Sequence, residues 1–120
     1  MIVIVDDDRA VRTSLARLMR SAGYDARAFA GAERYLDEVG PGTAECVILD
    51  LHMPGMGGLA LQAVMARREP GVPVVVVTAC EDADLRERSL LAGASAVLRK
   101  PCDAAVLLRA VSDAIGRAPL

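Results

Sequence analysis

Residues 72–78 read VPVVVVT, and the run of valines in this stretch decides how the rest of the chain is arranged. β-Branched residues favour strands, and a strand with one face in water alternates polar and apolar residues. This run is apolar on both faces, so it predicts a strand that is buried on both sides. Such strands occur in parallel sheets covered by helices on both faces.

Four other short apolar runs lie along the chain, and they fall into two groups. IVIV at residues 2–5 and CVIL at residues 46–49 are also continuously apolar. By contrast, YDARAF at residues 24–29 alternates, and AVL at residues 96–98 is short and followed by basic residues. The continuous runs predict central strands, and the other two predict edge strands.

Longer amphipathic segments separate these runs and predict helices. In the first of them, Val11, Leu15 and Leu18 fall on one helical face, and Asp8 is interpreted as a turn former or a helix N-cap. Gly23 and Gly93 stand where helix C-caps are expected. The predicted helices lie near residues 8–22, 32–39, 59–68, 83–92 and 103–117.

Strict alternation of strands and helices predicts an α/β fold with a doubly wound parallel sheet of the flavodoxin type. Placing the continuous runs in the centre gives the strand order 2-1-3-4-5. With 120 residues, the chain is expected to form one domain over residues 1–118. Residues 119–120 are interpreted as a chain end or the start of a linker.

Composition excludes several classes of function. The chain is 53% hydrophobic and 25% charged, which is typical of a globular domain. A net charge of −2 gives no reason to expect nucleic-acid binding by this segment. No apolar stretch is long enough for a membrane span, and MIVIVDDD at residues 1–8 does not resemble a secretion signal. An odd number of cysteines without metal-finger spacing fits a reduced, cytoplasmic compartment.

A polar residue follows or ends each of four predicted strands. Asp6 and Asp7 follow the first, Asp50 follows the third, and Thr78 ends the fourth. Lys100, which is the only lysine in the chain, follows the fifth. The carboxyl ends of parallel strands share one rim, where doubly wound folds bind ligands. The five side chains are therefore expected to meet in one crevice.

Three carboxylates in one crevice create an electrostatic problem. Two like charges about 4 Å apart repel by about 4 kcal/mol at an effective dielectric constant near 20. Lys100 offsets part of this repulsion, and the remainder favours a divalent cation. Carboxylate, carbonyl and water ligands predict Mg²⁺, for which Mn²⁺ could substitute.

Four motifs in this order resemble the receiver domains of bacterial two-component response regulators. The resemblance covers essentially the whole chain. The motifs are VDD at residues 5–7, DLHMPGMGG at 50–58, VVVVTA at 74–79 and GASAVLRKP at 93–101.

The resemblance implies a role for each residue of the crevice. Asp50 would accept a phosphoryl group from the phosphohistidine of a sensor histidine kinase or a histidine phosphotransfer protein. Thr78 and Lys100 would contact phosphoryl oxygens. A lysine suits this role because its ammonium is a point charge on a flexible stem. Ala79 would leave room for the incoming imidazole.

The resemblance also implies a metal site and a loop geometry. Asp7 and Asp50 would bind Mg²⁺ directly, Asp6 would bind it directly or through water, and the backbone carbonyl of His52 would complete the protein ligands. Pro54 and Gly58 would shape the loop after Asp50, and the Lys100–Pro101 peptide bond would be cis.

Phosphorylation would re-aim the face formed by the fourth helix, fifth strand and fifth helix, and so control an output domain or partner, as in transcription regulation. A homodimer could form through this face or through the first and fifth helices. The segments DDDRAVRTSL at residues 6–15 and AERYL at 32–36 are similar to receivers that precede a LuxR-type helix-turn-helix domain.

One residue departs from the family pattern. Val97 stands where these receivers usually carry Tyr or Phe, and valine has no ring to swing between rotamers. Asp50 should still be phosphorylated with valine at this position. The sequence leaves open whether phosphorylation then changes the output face. A receiver-like interaction domain that works without phosphate is therefore the alternative within the family.

Other interpretations fit less well. A flavin- or nucleotide-binding module needs a loop after the first strand that cradles phosphate, and the DDDR sequence at residues 6–9 repels phosphate. A phosphatase resembling haloacid dehalogenases needs an aspartate at the position of His52. Cys80 and Cys102 follow site residues and could form a redox latch, although inert thiols are the favoured interpretation.

Overall fold

The computed structural model of the protein describes residues 1–117, and these residues form a five-stranded parallel sheet with five helices. The predicted doubly wound α/β fold is confirmed. The strands are β1 (Ile2–Val5), β2 (Ala26–Phe29), β3 (Cys46–Leu49), β4 (Val74–Thr78) and β5 (Ala96–Arg99). The helices are α1 (Arg9–Ser21), α2 (Ala32–Glu38), α3 (Gly58–Arg68), α4 (Ala83–Leu91) and α5 (Ala104–Arg117).

The strand order is β2-β1-β3-β4-β5, as predicted, and every neighbouring pair is parallel. The last residues of β1 and β3, Val5 and Leu49, lie opposite each other. On the other side of the sheet, Thr78 at the end of β4 lies opposite Arg99 of β5. This register places the residues that follow β1, β3 and β5 at one rim, close to Thr78.

The central strands and the edge strands differ in burial. Every residue of β1, β3 and β4 is buried, whereas β2 exposes its two middle residues, Arg27 and Ala28. β5 has no fully buried residue and is exposed at Arg99. The continuous apolar runs thus occupy the centre because only there are both faces covered.

The sheet separates two apolar layers. On one face, Val3 and Leu49 of the sheet pack with Tyr35 of α2 and with Leu61 and Met65 of α3. The other layer joins sheet residues to α1 and α5; its fully buried members include Ile2, Ile4, Met19 and Val111. Helices α1 and α5 therefore lie side by side on one face.

Local signals account for the helix ends. Asp8 caps α1, since its side chain accepts hydrogen bonds from the backbone N–H groups of Ala10 and Val11. Asp82 caps α4 in the same way. Gly23 (φ 93°) and Gly93 (φ 105°) follow α1 and α4 in left-handed conformations that glycine tolerates.

Buried polar contacts join the helices on the α3 side of the sheet. The Tyr35 hydroxyl donates to Glu69 Oε1 at 2.6 Å, and burial and this bond raise the pKa of Tyr35. Arg68 donates to the carbonyl oxygens of Leu36 and Val39, at the C-terminal end of α2. These contacts anchor α2 to the end of α3.

None of the helices within residues 1–117 has the length and hydropathy that a bilayer crossing requires. The prediction of a chain end or linker at residues 119–120 lies outside the described residues.

Candidate functional site

Asp50 occupies the centre of the rim at the carboxyl ends of the strands. Its Oδ1 atom accepts a hydrogen bond of 2.7 Å from the Thr78 hydroxyl. Its Oδ2 atom accepts a hydrogen bond of 3.0 Å from Lys100 Nζ, which also donates to Asp6 Oδ2 at 2.8 Å. The ends of β4 and β5 therefore contribute the two side chains that orient this carboxylate, and Lys100 links it to Asp6 after β1.

Asp7 completes an acidic cluster. Carboxylate oxygens of Asp6, Asp7 and Asp50 all lie within 4.8 Å of one another. Asp6 and Asp50 are only 2% and 7% exposed, whereas Asp7 is exposed to solvent. All five side chains predicted to converge thus lie at this rim, and the cluster is open on the Asp7 side.

The charges at the rim are not balanced. Burial lowers the pKa of Lys100, but its hydrogen bonds to Asp6 and Asp50 and the charges of both carboxylates outweigh burial, so the pKa is raised. The lysine is therefore a charged ammonium at neutral pH. One ammonium faces three carboxylates, which leaves two negative charges uncompensated.

The donor set fits a hard divalent cation. Mg²⁺ prefers oxygen ligands and retains several waters, so a cluster of carboxylates with one open side suits it better than a closed cage would. The uncompensated charge matches that of such an ion. Cysteine and histidine side chains, which softer metals prefer, do not belong to the acidic cluster.

Backbone groups around the rim hold the polar side chains in place. The N–H of Asp8 donates to Asp6 Oδ1 at 2.9 Å, and the N–H of Cys80 donates to Thr78 Oγ1 at 3.1 Å. The N–H of His52 donates to Asp50 Oδ1 at 3.3 Å. Because these donors follow their acceptors by two residues, each strand end turns sharply around its own polar side chain.

The loop after Asp50 packs closely under the start of α3. A Cβ atom on Gly58 would lie 2.6 Å from the carbonyl oxygen of Asp50 and 2.7 Å from Leu51 Cα. Only glycine therefore fits where α3 begins. This contact gives the physical reason for the glycine that was expected to shape the loop.

A glutamate from α2 also holds this loop, and the sequence did not reveal it. Glu33 Oε2 accepts a hydrogen bond of 3.2 Å from the N–H of Met56, and a Cβ on Gly55 would lie 2.6 Å from the same oxygen. The two partners are 23 residues apart. No local pattern in the sequence connects them.

Two arginines hold the backbone that follows β1 and β4, and the sequence analysis did not anticipate either contact. Arg12 of α1 donates to the carbonyl oxygen of Asp6 at 2.9 Å. Arg86 of α4 donates to the carbonyl oxygen of Cys80 at 2.7 Å. Each arginine follows its acceptor by six residues, one turn into the helix that leaves the rim. That spacing was a usable signal in the sequence.

The remaining predicted residues lie around this centre. Ala79 is exposed beside the buried Thr78, and the His52 residue is exposed next to Asp50. The Lys100–Pro101 peptide bond is cis. Val97 is half-buried in β5 and packs against the apolar layer on the α3 side.

The cysteines are free thiols. Cys80 is buried and contacts Thr78 through its N–H, whereas Cys102 is half-buried in the groove between α1 and α5. Cys80 and Cys102 thus lie in different surroundings, one next to Thr78 and the other between two helices. A redox latch between Cys80 and Cys102 therefore gains no support.

Comparison with known proteins gives the same family along nearly the whole chain. Residues 2–112 match the response regulator receiver domain family. The transcriptional regulatory protein FixJ of Azorhizobium caulinodans is 36% identical over 114 residues, covering 95% of this chain and 54% of that protein. The response regulator protein TmoT of Ectopseudomonas mendocina is 35% identical over 119 residues, covering 99% of this chain and 54% of that protein. The chain thus spans about half the length of these curated relatives.

Solved structures agree with this assignment. The response regulator StyR superposes with a TM-score of 0.88 at 36% identity, over 96% of this chain and 58% of that chain. A response regulator receiver protein from Burkholderia phymatum gives 0.81 at 39% identity, over 99% of this chain and 98% of that chain. With the polar rim on the same parallel sheet, these matches show that the chain belongs to the response regulator receiver domain family.

Proposed function

We propose that this domain accepts a phosphoryl group on Asp50 from the phosphohistidine of a sensor histidine kinase or of a histidine phosphotransfer protein. One observation carries the proposal: the two oxygens of the Asp50 carboxylate are held by Thr78 and Lys100 inside an acidic cluster. Membership of the receiver family supports it.

The reaction would need little covalent help from the protein. An Asp50 carboxylate oxygen attacks phosphorus, the P–N bond to the histidine breaks, and its electron pair returns to the imidazole nitrogen. In such transfers the protein contributes mainly position and charge neutralisation. The Thr78 hydroxyl and the Lys100 ammonium, which bind Asp50 in the resting domain, would turn to the phosphoryl oxygens.

The carboxylates of Asp6, Asp7 and Asp50, with the backbone carbonyl of His52, would hold Mg²⁺ or Mn²⁺. When bound, the ion would neutralise charge on the cluster and on the phosphoryl oxygens. The exposed Ala79 would leave space for the histidine ring of the donor. In this proposal the domain catalyses only its own phosphorylation and dephosphorylation, and otherwise acts as a signalling module.

The face formed by α4, β5 and α5 would transmit the signal by contacting an output domain or a partner. Leu90, Leu91 and Val106 on α4 and α5 are the large apolar residues that the described part of the chain exposes, Leu91 at 81%. Exposed apolar residues on neighbouring helices are typical of a binding face. A homodimer, a partner protein or an output domain could use it, and α1 with α5 is the alternative dimer face.

Control of transcription is the proposed output, because relatives such as FixJ are named as transcriptional regulators. An output domain of the LuxR type remains a prediction from the sequence. Free cysteines support the proposed cytoplasmic location.

The decisive experiment is incubation with Mg²⁺ and acetyl phosphate followed by intact mass measurement. The wild type should gain the mass of one phosphoryl group, and Asp50→Asn should gain none. Asp113→Asn, which removes an exposed carboxylate from α5, is the matched control and should gain the same mass as wild type. A wild type that gains no mass would instead support the receiver-like domain that works without phosphate, the alternative raised by Val97.

A further inference from the structure

A groove on the outer side of α1 carries a concentration of positive charge, and the phosphoacceptor rim uses only the backbone contact of Arg12 to Asp6. The helix has four arginines and no acidic residue within Arg9–Ser21, although the whole chain has a net charge of −2. All four line one groove of about 480 Å³ between α1 and the edge strand β2. Its lining is Arg9, Arg12, Thr13, Ala16, Arg17, Arg20 and Ala28.

The four arginines form one stripe along the helix. Their positions, together with Thr13 and Ala16, repeat at intervals of three and four residues, which is the spacing of a single helical face. From Arg9 to Arg20 the stripe extends about 16 Å along the axis, at about 1.5 Å per residue. The stripe is therefore much longer than one phosphate group.

The guanidinium groups are held but not neutralised. Arg12 donates to the carbonyl oxygen of Asp6, and Arg20 donates to the carbonyl oxygen of Ala26 at 2.9 Å. Among the side chains that the structure describes, none of the four arginines lies within 4.0 Å of a carboxylate. Backbone contacts orient two of the charges, and all four remain available to an anion.

The lining indicates which anion fits. Guanidinium forks match phosphate oxygens in pairs, and Thr13 adds a hydroxyl. The groove has no aromatic side chain on which a base could stack, and its only apolar residues are Ala16 and Ala28. An acidic protein segment would need larger apolar anchors than these alanines. A long nucleic acid would also meet the remaining, net negative surface.

We propose that the α1 groove binds a linear chain of phosphates, such as inorganic polyphosphate or the triphosphate of a nucleotide. Recognition is through charge and the phosphate oxygens, and it is independent of any base. The groove lies on the side of α1 opposite the α5 contact, so the proposal is separate from phosphorylation of Asp50.

Calorimetric titration of the whole chain with tripolyphosphate tests the proposal, in EDTA and about 0.15 M salt, because chelation removes any metal from the acidic cluster. ATP, inorganic monophosphate and a short DNA duplex are the parallel arms. Tripolyphosphate and ATP should bind with equal affinity at one site, and monophosphate should bind at least about tenfold more weakly, since it reaches fewer arginines.

The variant for this test is Arg9→Ser with Arg17→Ser, because within residues 1–117 these two side chains make neither a hydrogen bond nor an ion pair, unlike Arg12 and Arg20. It should weaken tripolyphosphate at least about tenfold. Arg67→Ser with Arg109→Ser removes the same charge from exposed positions on α3 and α5, and should change the affinity less than about twofold.

Three results would overturn the proposal. The first is that the wild type does not bind tripolyphosphate. The second is that the two double variants lose the same amount of tripolyphosphate affinity. The third is that the affinity for ATP far exceeds that for tripolyphosphate. Tighter binding of the DNA duplex through the same arginines would make the groove a nucleic-acid surface instead. Phosphorylation by acetyl phosphate is measured separately, so its failure leaves this result unaffected.

Discussion

Thr78 donates a hydrogen bond to one carboxylate oxygen of Asp50, and Lys100 donates to the other. These two contacts are the most important single-residue interactions of the site. A buried carboxylate without such donors would be costly. The same two donors are the groups that a transferred phosphoryl would need. The groups that hold the carboxylate at rest are therefore the same two that, in the proposed function, would turn to the phosphoryl oxygens.

The Thr78 hydroxyl should be measurable as a contribution to stability. Thr78→Val keeps the shape but leaves Asp50 Oδ1 with only the longer bond from His52 and leaves the N–H of Cys80 unpaired. We expect the free energy of unfolding without metal to fall by about 1–3 kcal/mol. Thr78→Ser keeps the hydroxyl and should lose only about 0.8 kcal/mol with the buried methyl. Urea denaturation that ranks valine above serine would contradict this assignment.

Cys46 should make stability depend on pH in the alkaline range. Burial, and then the charge of Glu45, raise the pKa of its thiol from 9.0 to about 12. The unfolded chain releases this proton near pH 9 and the folded chain retains it. The contribution to stability is therefore complete below pH 9 and falls by about 1.4 kcal/mol per pH unit between pH 9 and 12.

Denaturation of wild type and Cys46→Ala at several pH values measures this effect, because other titrating groups cancel in the difference. The advantage of wild type over Cys46→Ala should shrink steadily as the pH rises from 9. Parallel pH profiles for the two proteins would show that Cys46 ionises normally.

Among the elements, β3 and α3 approach each other very closely at their junction. Gly58 lets the helix begin against the backbone of Asp50 and Leu51, and Glu33 holds the connecting loop from α2. Asp50, which would carry the phosphoryl group, is thus positioned by a close backbone contact at Gly58. A residue with a Cβ atom at position 58 would not fit there.

Gly58→Ala should displace the start of α3, because its Cβ would meet two backbone atoms within 2.7 Å. We expect a loss of about 1–3 kcal/mol in the free energy of unfolding. Gly116→Ala in α5 is the matched control, since a Cβ there meets nothing within 4 Å. It should raise stability by up to about 1 kcal/mol, because alanine favours helix. If both variants behaved alike in thermal denaturation, the close approach at Gly58 would not be real.

At the scale of the whole molecule, the acidic cluster should couple metal binding to folding. A cation that binds only the folded chain stabilises it by about 2.7 kcal/mol at one hundred times its dissociation constant. Mg²⁺ should therefore raise the melting temperature of the wild type. Asp7→Asn should melt higher than wild type without metal, because repulsion is relieved, and should respond much less to Mg²⁺.

Asp8→Asn is the control for this prediction. It removes a neighbouring charge that is not part of the cluster, and asparagine caps α1 as well as aspartate does. Its response to Mg²⁺ should equal that of wild type. An unchanged response in Asp7→Asn, measured by differential scanning calorimetry, would place the cation elsewhere.

The amino-acid pattern alone was enough to predict the fold and the meeting place of Asp6, Asp50, Thr78 and Lys100. Short continuous apolar runs that alternate with helical segments favour central strands, and parallel strands bring their carboxyl ends to one rim, so the predicted topology made these residues neighbours.

The contacts that hold the rim and the surrounding helices in place could be read only from the packed chain. The bonds of Met56 to Glu33, of Tyr35 to Glu69 and of Thr78 to Asp50 span 23, 34 and 28 residues. Periodicity reports which face of an element is buried, but it does not report which side chain of another element reaches a given atom. That depends on how strand ends, loops and helices pack together, and the packing is a property of the whole chain.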